Sequence, residues 1–305
     1  MATTDSQITS FVEPLAGLFA HSLRSPILRR PDEEGLEYEE VWFPSLDGVI
    51  LEGWFIPAKG SNKLIIANHP LPCNRSGFPG HLPGFGLFGG FEVSFIDDYK
   101  ILHDAGYNVL CYDLRNHGRS GAGSGGICGI GLLECRDVVG SIKYAQSRPD
   151  TAHMEIGLLS RCLGANSTIV AASRYPEYFR DVKALIALQP VSSRVFVETG
   201  AKNSGLDPVK AAEAFDTKIF HLTGFRLDEL SPKPYTKDLN IPTLVAQVHK
   251  DITVEPSDVQ AIYDGIRSEV KELIWIEGTT RRFDGYKYFA EHPQKMVGWF
   301  DRFFS

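Results

Sequence analysis

Polar and apolar positions along this chain fall into two alternating rhythms. The runs YEEVWFPS (38–45) and LEGWFIP (51–57) flank Asp47 and Gly48, a turn signal, and predict an antiparallel hairpin. KLIIANH (63–69) is almost continuously apolar, as a central strand covered on both faces must be. Beyond it strand and helix patterns take turns. A helix around 95–105 leads to a strand at 108–113, a helix at 133–147 to a strand at 155–160, and a helix starting near 163 to a strand at 184–190. A strand at 243–249, a helix near 256–266, a strand at 272–278 and a last helix over 293–304 complete the series, and a helical apolar pattern covers 8–25. Alternation of this kind predicts an α/β fold with a doubly wound, mainly parallel central sheet.

Two stretches break the rhythm. Residues 191–240 form a weakly amphipathic excursion containing DPVKAAEAFDTKIF, which reads as a small helical cap inserted between two strands. The division expected is an N-terminal helix and arm over 1–37, a core over 38–190 and 241–305, and the cap over 191–240. The second break is SGFPGHLPGFGLFGGF (76–91), a long loop rich in glycine, proline and phenylalanine just after the 63–69 strand.

Composition narrows the function classes. With 305 residues, 43% of them hydrophobic, the chain can bury a large core. A net charge of −7 argues against nucleic acid or an anionic membrane surface as the main partner. No stretch approaches the roughly 18–20 apolar residues of a membrane span. The start of the chain is acidic and shows no secretory pattern. Five cysteines, Cys73, Cys111, Cys128, Cys135 and Cys162, are scattered without paired spacing, which suits a reduced cytoplasmic protein and neither a disulfide framework nor a zinc site. No metal or other cofactor is expected.

The chemistry concentrates at LLSRCLGAN (158–166). A strand that turns sharply into a helix lifts the residue at the turn above the sheet and aims it at the helix N-terminus. The backbones pass so closely that small residues are needed two before and two after, and here these are Ser160 and Gly164. The helix N-terminus favours anions, thiolate and oxyanion alike. Leu163 N–H, just past Cys162, is one candidate oxyanion donor. Leu71 N–H, in the loop after the 63–69 strand, is the other, since the flanking Pro70 and Pro72 have no N–H to give.

Together these pieces resemble the α/β-hydrolase superfamily from about residue 38 to the C-terminus. YDLRNHGRSG (112–121) is similar to that superfamily's D-x-R-x-H-G-x-S segment, and VHKDITVEP (248–256) to its acid-bearing turn. The cysteine elbow RCLGA resembles the dienelactone hydrolase branch, which uses Cys, Asp and His. The resemblance implies Cys162 as nucleophile, Asp251 as acid and His117 as a structural histidine of its loop.

The pattern departs from the family at the base. The catalytic histidine is expected after the last strand, but EGTTRRFDGYKYF (277–289) has none, and Arg281 and Arg282 stand there instead; His292 comes too late. Arginine stays protonated and cannot relay protons. His81 in the glycine-rich loop, His69 at the end of the central strand and His249 near Asp251 are alternatives for substrate binding or proton transfer, and each also reads as an ordinary structural histidine. Asp251 could instead pair with Arg281 or Arg282. Phe78, Phe85, Phe88 and Phe91 would wall the site if their loop folds over it.

The expectation is an α/β-hydrolase-fold enzyme with a cysteine nucleophile. It would act on an activated acyl donor (a thioester, enol lactone or reactive ester) by hydrolysis or acyl transfer. Its partner would be a small apolar or aromatic acyl substrate, and a homodimer is compatible. The alternative is a lyase- or cyclase-like catalyst, or a ligand-binding pseudoenzyme, on the same scaffold.

Overall fold

In a computed structural model, which describes residues 4–305, the apolar runs become one eight-stranded sheet and one short two-stranded ribbon. Residues 1–3 of the N-terminal arm lie outside the described residues. The strands are β1 (Glu39–Pro44), β2 (Ile50–Ile56), β3 (Lys63–Asn68), β4 (Gly77–Pro79), β5 (Glu92–Ser94), β6 (Asn108–Tyr112), β7 (Glu155–Arg161), β8 (Val182–Leu188), β9 (Thr243–Val248) and β10 (Lys271–Ile276). The sheet runs β1-β2-β6-β3-β7-β8-β9-β10. β1 and β2 are the expected hairpin and β2 pairs antiparallel with β6; every other pairing in the sheet is parallel.

The continuous apolar runs are explained by cores on both faces. Successive side chains point to opposite sides of a strand. Leu64, Ile66, Leu110, Tyr112 and Leu158 join one buried cluster, with residues of α3 (Cys135–Ser147) and α4 (Leu163–Arg174). Ile65, Ala67, Val109, Cys111 and Leu159 join the other, with residues of α2 (Ile96–Asp104) and α9 (Pro293–Asp301). Each such aliphatic side chain taken out of water contributes about 1.5–3 kcal/mol.

Between β8 and β9 the chain leaves the sheet for α5 (Ser193–Asn203) and α6 (Pro208–Thr223). Local chemistry sets the bounds of α6. Asp207 caps its first turn by accepting from Val209 N–H and Lys210 N–H, Pro208 occupies the first helical position, and Gly224 closes it in the left-handed region. α1 (Asp5–Ala20) lies along α6, with Phe19 edge-on to Phe215 at 5.6 Å.

Two boundaries differ from the pattern-based expectation. α1 ends at Ala20, not near 25, because Arg24 donates to the carbonyls of Gly118 (2.9 Å) and Ser120 (2.8 Å) and holds the following segment outside the helix. The final helix ends at Asp301, and Pro293 separates it from a one-turn α8 (Tyr288–Glu291), because proline favours a helix start over a helix interior. The connection from α7 (Pro256–Gly265) to β10 follows the expected order.

Candidate active site

β7 passes into α4 with only Cys162 between them, and this residue adopts φ 47°, ψ −106°. An L-residue held there costs on the order of 1–3 kcal/mol, so the surroundings must enforce it. They do so through contacts of the small residues. Ser160 Oγ is 2.8 Å from both Asn68 Nδ2 and Thr168 Oγ1, and Tyr112 donates to Asn68 Oδ1 at 2.6 Å. Gly164 sits against β3 so closely that a Cβ would lie 2.7 Å from Asn68 O and Cβ. Gly164→Ala therefore pushes α4 off β3: unfolding in urea should show a loss of roughly 1–3 kcal/mol, as overpacking costs elsewhere, together with slower alkylation of Cys162. A variant as stable and reactive as the parent would show that the close approach does not hold the elbow.

The loop after β3 brings Leu71 to the same place. Gly164 N–H donates to His69 O at 3.2 Å, tying that loop to the start of α4. Leu71 and Leu163 both border the cavity at Cys162, and neither backbone N–H finds an acceptor among the described residues. An oxyanion donor must be unengaged in this way, and both amides meet that condition.

The loop after β10 supplies the third side. A 3₁₀ turn, Arg282–Lys287, packs against the end of β9, where a Cβ on Gly285 would meet Val248 Cγ2 at 2.7 Å. Arg282 is 4% exposed. Its Nη1 donates to Asp251 Oδ2 at 2.9 Å, its Nη2 donates to Gln189 O, and its backbone carbonyl accepts from Gln189 Nε2 at 2.8 Å. Burial works against the guanidinium charge, but Tyr286, Cys162 and Asp251 more than offset it and hold the proton tighter than usual. Asp251 is completed by Gln247 Nε2 at 3.0 Å and by Thr253 N–H (2.8 Å) and Oγ1 (2.7 Å). Arg282 thus pairs with Asp251 and borders the same cavity as Cys162. Arg281 points elsewhere, pairing with Asp284 at 2.8 Å and covering the Phe91 ring.

The histidines are engaged away from the sulfur. His69 is buried: its Nδ1–H donates to Pro70 O at 2.9 Å and its Nε2 accepts from Leu114 N–H at 2.9 Å, so neither nitrogen is free. His117 packs edge-on to it at 4.9 Å and donates to Arg115 O. His81 is exposed beside Glu92, His249 pairs with Glu277 at 2.7 Å, and His292 stacks on Tyr288. Burial depresses His69 to about 4 and His117 to about 3, the latter also through His69. A folded-state value below the unfolded one means that the unfolded chain takes up protons first. This stability is present above about pH 6.5 and is lost as pH falls toward about 4. Urea midpoints should drop between about pH 7 and about 4.5, with on the order of 3 kcal/mol from His69 alone. The drop should shrink in His117→Asn; an unchanged slope would remove the pair as its cause.

The cavity at Cys162 is a narrow apolar slot of about 30 Å³. Leu18 and Phe19 of α1 border it with Phe88, Ile130, Val191 and Phe196. Phe88 stacks on Phe283 at 4.4 Å, whereas Phe85 lies further out, edge-on to Phe78 at 6.3 Å. Ligand pockets commonly hold some 300–1,000 Å³, so this slot is far smaller than an ordinary ligand site. Among the described residues no cluster of His, Cys, Asp or Glu is placed to hold a metal ion, and no helix is long and apolar enough to cross a membrane.

Solved structures share this architecture. The esterase Pf2001 of Pyrococcus furiosus superposes with a TM-score of 0.69 over 94% of this chain and 99% of its own, at 19% identity. The α/β hydrolase GrgF from Penicillium sp. sh18 gives 0.60 over 88% and 99% at 16% identity. Est1E from Butyrivibrio proteoclasticus, solved with ferulic acid bound, gives 0.55 over 85% and 97% at 17% identity. This chain has the α/β-hydrolase fold. No protein-family model matches it, and no curated sequence is similar enough to count as a relative.

Within the α/β-hydrolase fold, three neighbours of the site escape a reading of the chain alone. Gln189 and Gln247 look like ordinary strand-end polar residues, yet they hold Arg282 and Asp251. Gln189 takes a left-handed φ of 56°, an outlier that no local motif announces. Tyr286 is 1% exposed, in the turn that carries Arg282, and its signal was only its position after the last strand.

Proposed function

We propose that this α/β-hydrolase-fold chain is an enzyme that forms a covalent acyl-enzyme at Cys162 from an activated acyl donor: a thioester, enol lactone or reactive ester. The sulfur attacks the carbonyl carbon, the oxyanion is taken by Leu71 and Leu163 N–H, and the acyl group passes to water or to another nucleophile. The observation that carries the reading is the strained Cys162 at the α4 N-terminus, lining one cavity with Leu71 and Leu163, whose amides are unbonded among the described residues, and with the buried Arg282. The esterases among the structural neighbours support it.

Arg282 restricts the donor. It is where a proton-relaying base would be useful, and it cannot release its proton. General acid–base help is worth roughly 10²–10⁴-fold, so donors whose leaving groups depart without a proton are favoured. The apolar lining of the slot suits an aliphatic or aromatic acyl group. The test is intact-protein mass spectrometry with p-nitrophenyl esters and acyl thioesters: a mass gain on Cys162 supports the reading, and no gain with any donor defeats it. The bridge from Arg282 to Asp251 also favours a second reading, a lyase- or cyclase-like catalyst or binding protein that forms no acyl bond; turnover of a ligand without acyl mass would establish it.

A further inference from the structure

Size, more than chemistry, limits what the slot at Cys162 can take. Its lining is apolar enough for an aliphatic or an aromatic group, but its volume is about 30 Å³. One water molecule claims roughly 30 Å³ of the liquid, whereas an apolar cavity of roughly 150 Å³ is what holds a benzene ring. An aromatic acyl group is therefore too large for this slot, and a chain of about one or two carbons beyond the carbonyl fits it.

The wall that sets this size comes from α1. Phe19 borders the slot, and its ring lies 5.4 Å from that of Phe196 in α5 and edge-on to that of Phe215 in α6 at 5.6 Å. Phe196 borders the slot as well; Phe215, which is fully buried, does not. The Phe19 ring thus stands between the slot and the buried packing of α1 on α6. It is held there from both directions along the helix. Glu13 pairs with Lys218 of α6 at 2.7 Å, and the Ala20 carbonyl, next to Phe19, accepts from Cys128 N–H at 2.9 Å. Phe19 itself is only 6% exposed. A ring so enclosed and so anchored acts as a fixed wall.

We propose that Phe19 is a specificity-determining residue that restricts the acyl donor to short aliphatic chains, acetyl or propionyl in size. The inference rests on the acyl-enzyme reading and names the substrate class of that same site. In the acylation step the Cys162 thiolate adds to the donor's carbonyl carbon. The C–S bond forms, the bond to the leaving group breaks, and the leaving group departs with the electron pair. The alkyl part of the acyl group then lies in the slot. One methylene too many in an apolar pocket is worth roughly 10–200-fold in rate, so acylation should fall steeply with chain length. Removing the Phe19 ring adds its volume to the slot, leaves Phe215 as the new back wall, and moves the limit to longer chains.

The experiment compares p-nitrophenyl acetate, propionate, hexanoate and benzoate on the parent protein and on Phe19→Ala. Intact mass and peptide mapping read acylation of Cys162, and release of p-nitrophenolate gives the rate. The parent should take acetate at least about tenfold faster than hexanoate or benzoate, and Phe19→Ala should lose that preference. Phe215→Leu loosens the same aromatic packing without touching the slot, and should keep the parent's preference. A parent that takes hexanoate or benzoate as fast as acetate overturns the proposal. So does an unchanged preference in Phe19→Ala, or a preference lost equally in Phe215→Leu, which would show general loosening. Should Phe19→Ala fail to fold, Phe19→Leu, which keeps an apolar contact with α6, must raise the hexanoate-to-acetate ratio; an unchanged ratio refutes the wall. If the parent gains no acyl mass from any donor, the acyl-enzyme reading falls and the size limit is read with methyl and hexyl methanethiosulfonate. Each leaves its alkylthio group on the Cys162 sulfur as methanesulfinate departs. A methyl preference that Phe19→Ala loses keeps Phe19 as the wall, and equal preferences in the two proteins overturn it.

Discussion

Cys162→Ala should show no acyl mass and should lose acyl transfer to p-nitrophenyl esters by roughly 10⁴–10⁶-fold, the scale seen when the nucleophile of an acyl-transfer site is removed. The residual rate reflects binding and the two amides alone. Cys162→Ser is the more discriminating variant. A serine hydroxyl attacks only if a neighbouring base takes its proton. The group bridging to Asp251 is Arg282, which is protonated and stays so. Serine should accordingly be nearly as inactive as alanine here. A Cys162→Ser variant that keeps even a hundredth of the parent rate would mean that a proton acceptor other than Arg282 operates, and the view of this site as thiolate chemistry would have to be given up. Folding controls are simple, because Cys162 is only partly buried and serine is nearly isosteric with it.

Arg282→Met should be the most destabilising single change at the site, by about 3–5 kcal/mol, because it strands a buried carboxylate. The Asp251 side chain is inaccessible to solvent, and among the described residues Arg282 is its only cationic partner. Gln247 and Thr253 continue to donate to it, which sets the lower end of the range. The Gln189 carbonyl also loses its guanidinium partner, so the 282–287 turn should loosen against β9. Adding Asp251→Asn to Arg282→Met removes the stranded charge and should recover at least about 1 kcal/mol, since neutral groups are far less costly to bury. Urea unfolding of the four proteins in this cycle measures the coupling directly. A zero coupling term would show that the bridge contributes no net stability. Alkylation of Cys162 in Arg282→Met should slow as well, because the cation that borders the cavity beside the sulfur is removed.

The chain alone determined the scaffold. Strands 63–69, 108–113 and 155–160 could be read because a strand covered on both faces must be apolar at every position, and that condition leaves a continuous run in the sequence. The elbow was legible for a related reason: the close pass of α4 over β3 demands small residues, and Ser160 and Gly164 stand at the required spacing around Cys162. Even the lack of a histidine after the last strand is visible in the residues 277–289.

Tertiary structure alone decided which of the two arginines turns inward. Two adjacent arginines are chemically equal in the sequence, but the 282–287 turn sends Arg282 inward to Asp251 and leaves Arg281 outside with Asp284. His69 looked available until both its nitrogens proved to be occupied by backbone groups. Likewise, α1 reads as a peripheral helix, and only its packing along α6 puts Leu18 and Phe19 over the slot. Gln189, Gln247 and Tyr286 carry no motif, since their roles depend on which way a side chain points across a long sequence gap. Fold follows from periodic burial, which every strand and helix repeats many times. The site depends on a few single orientations, each set by non-local packing and stated only once.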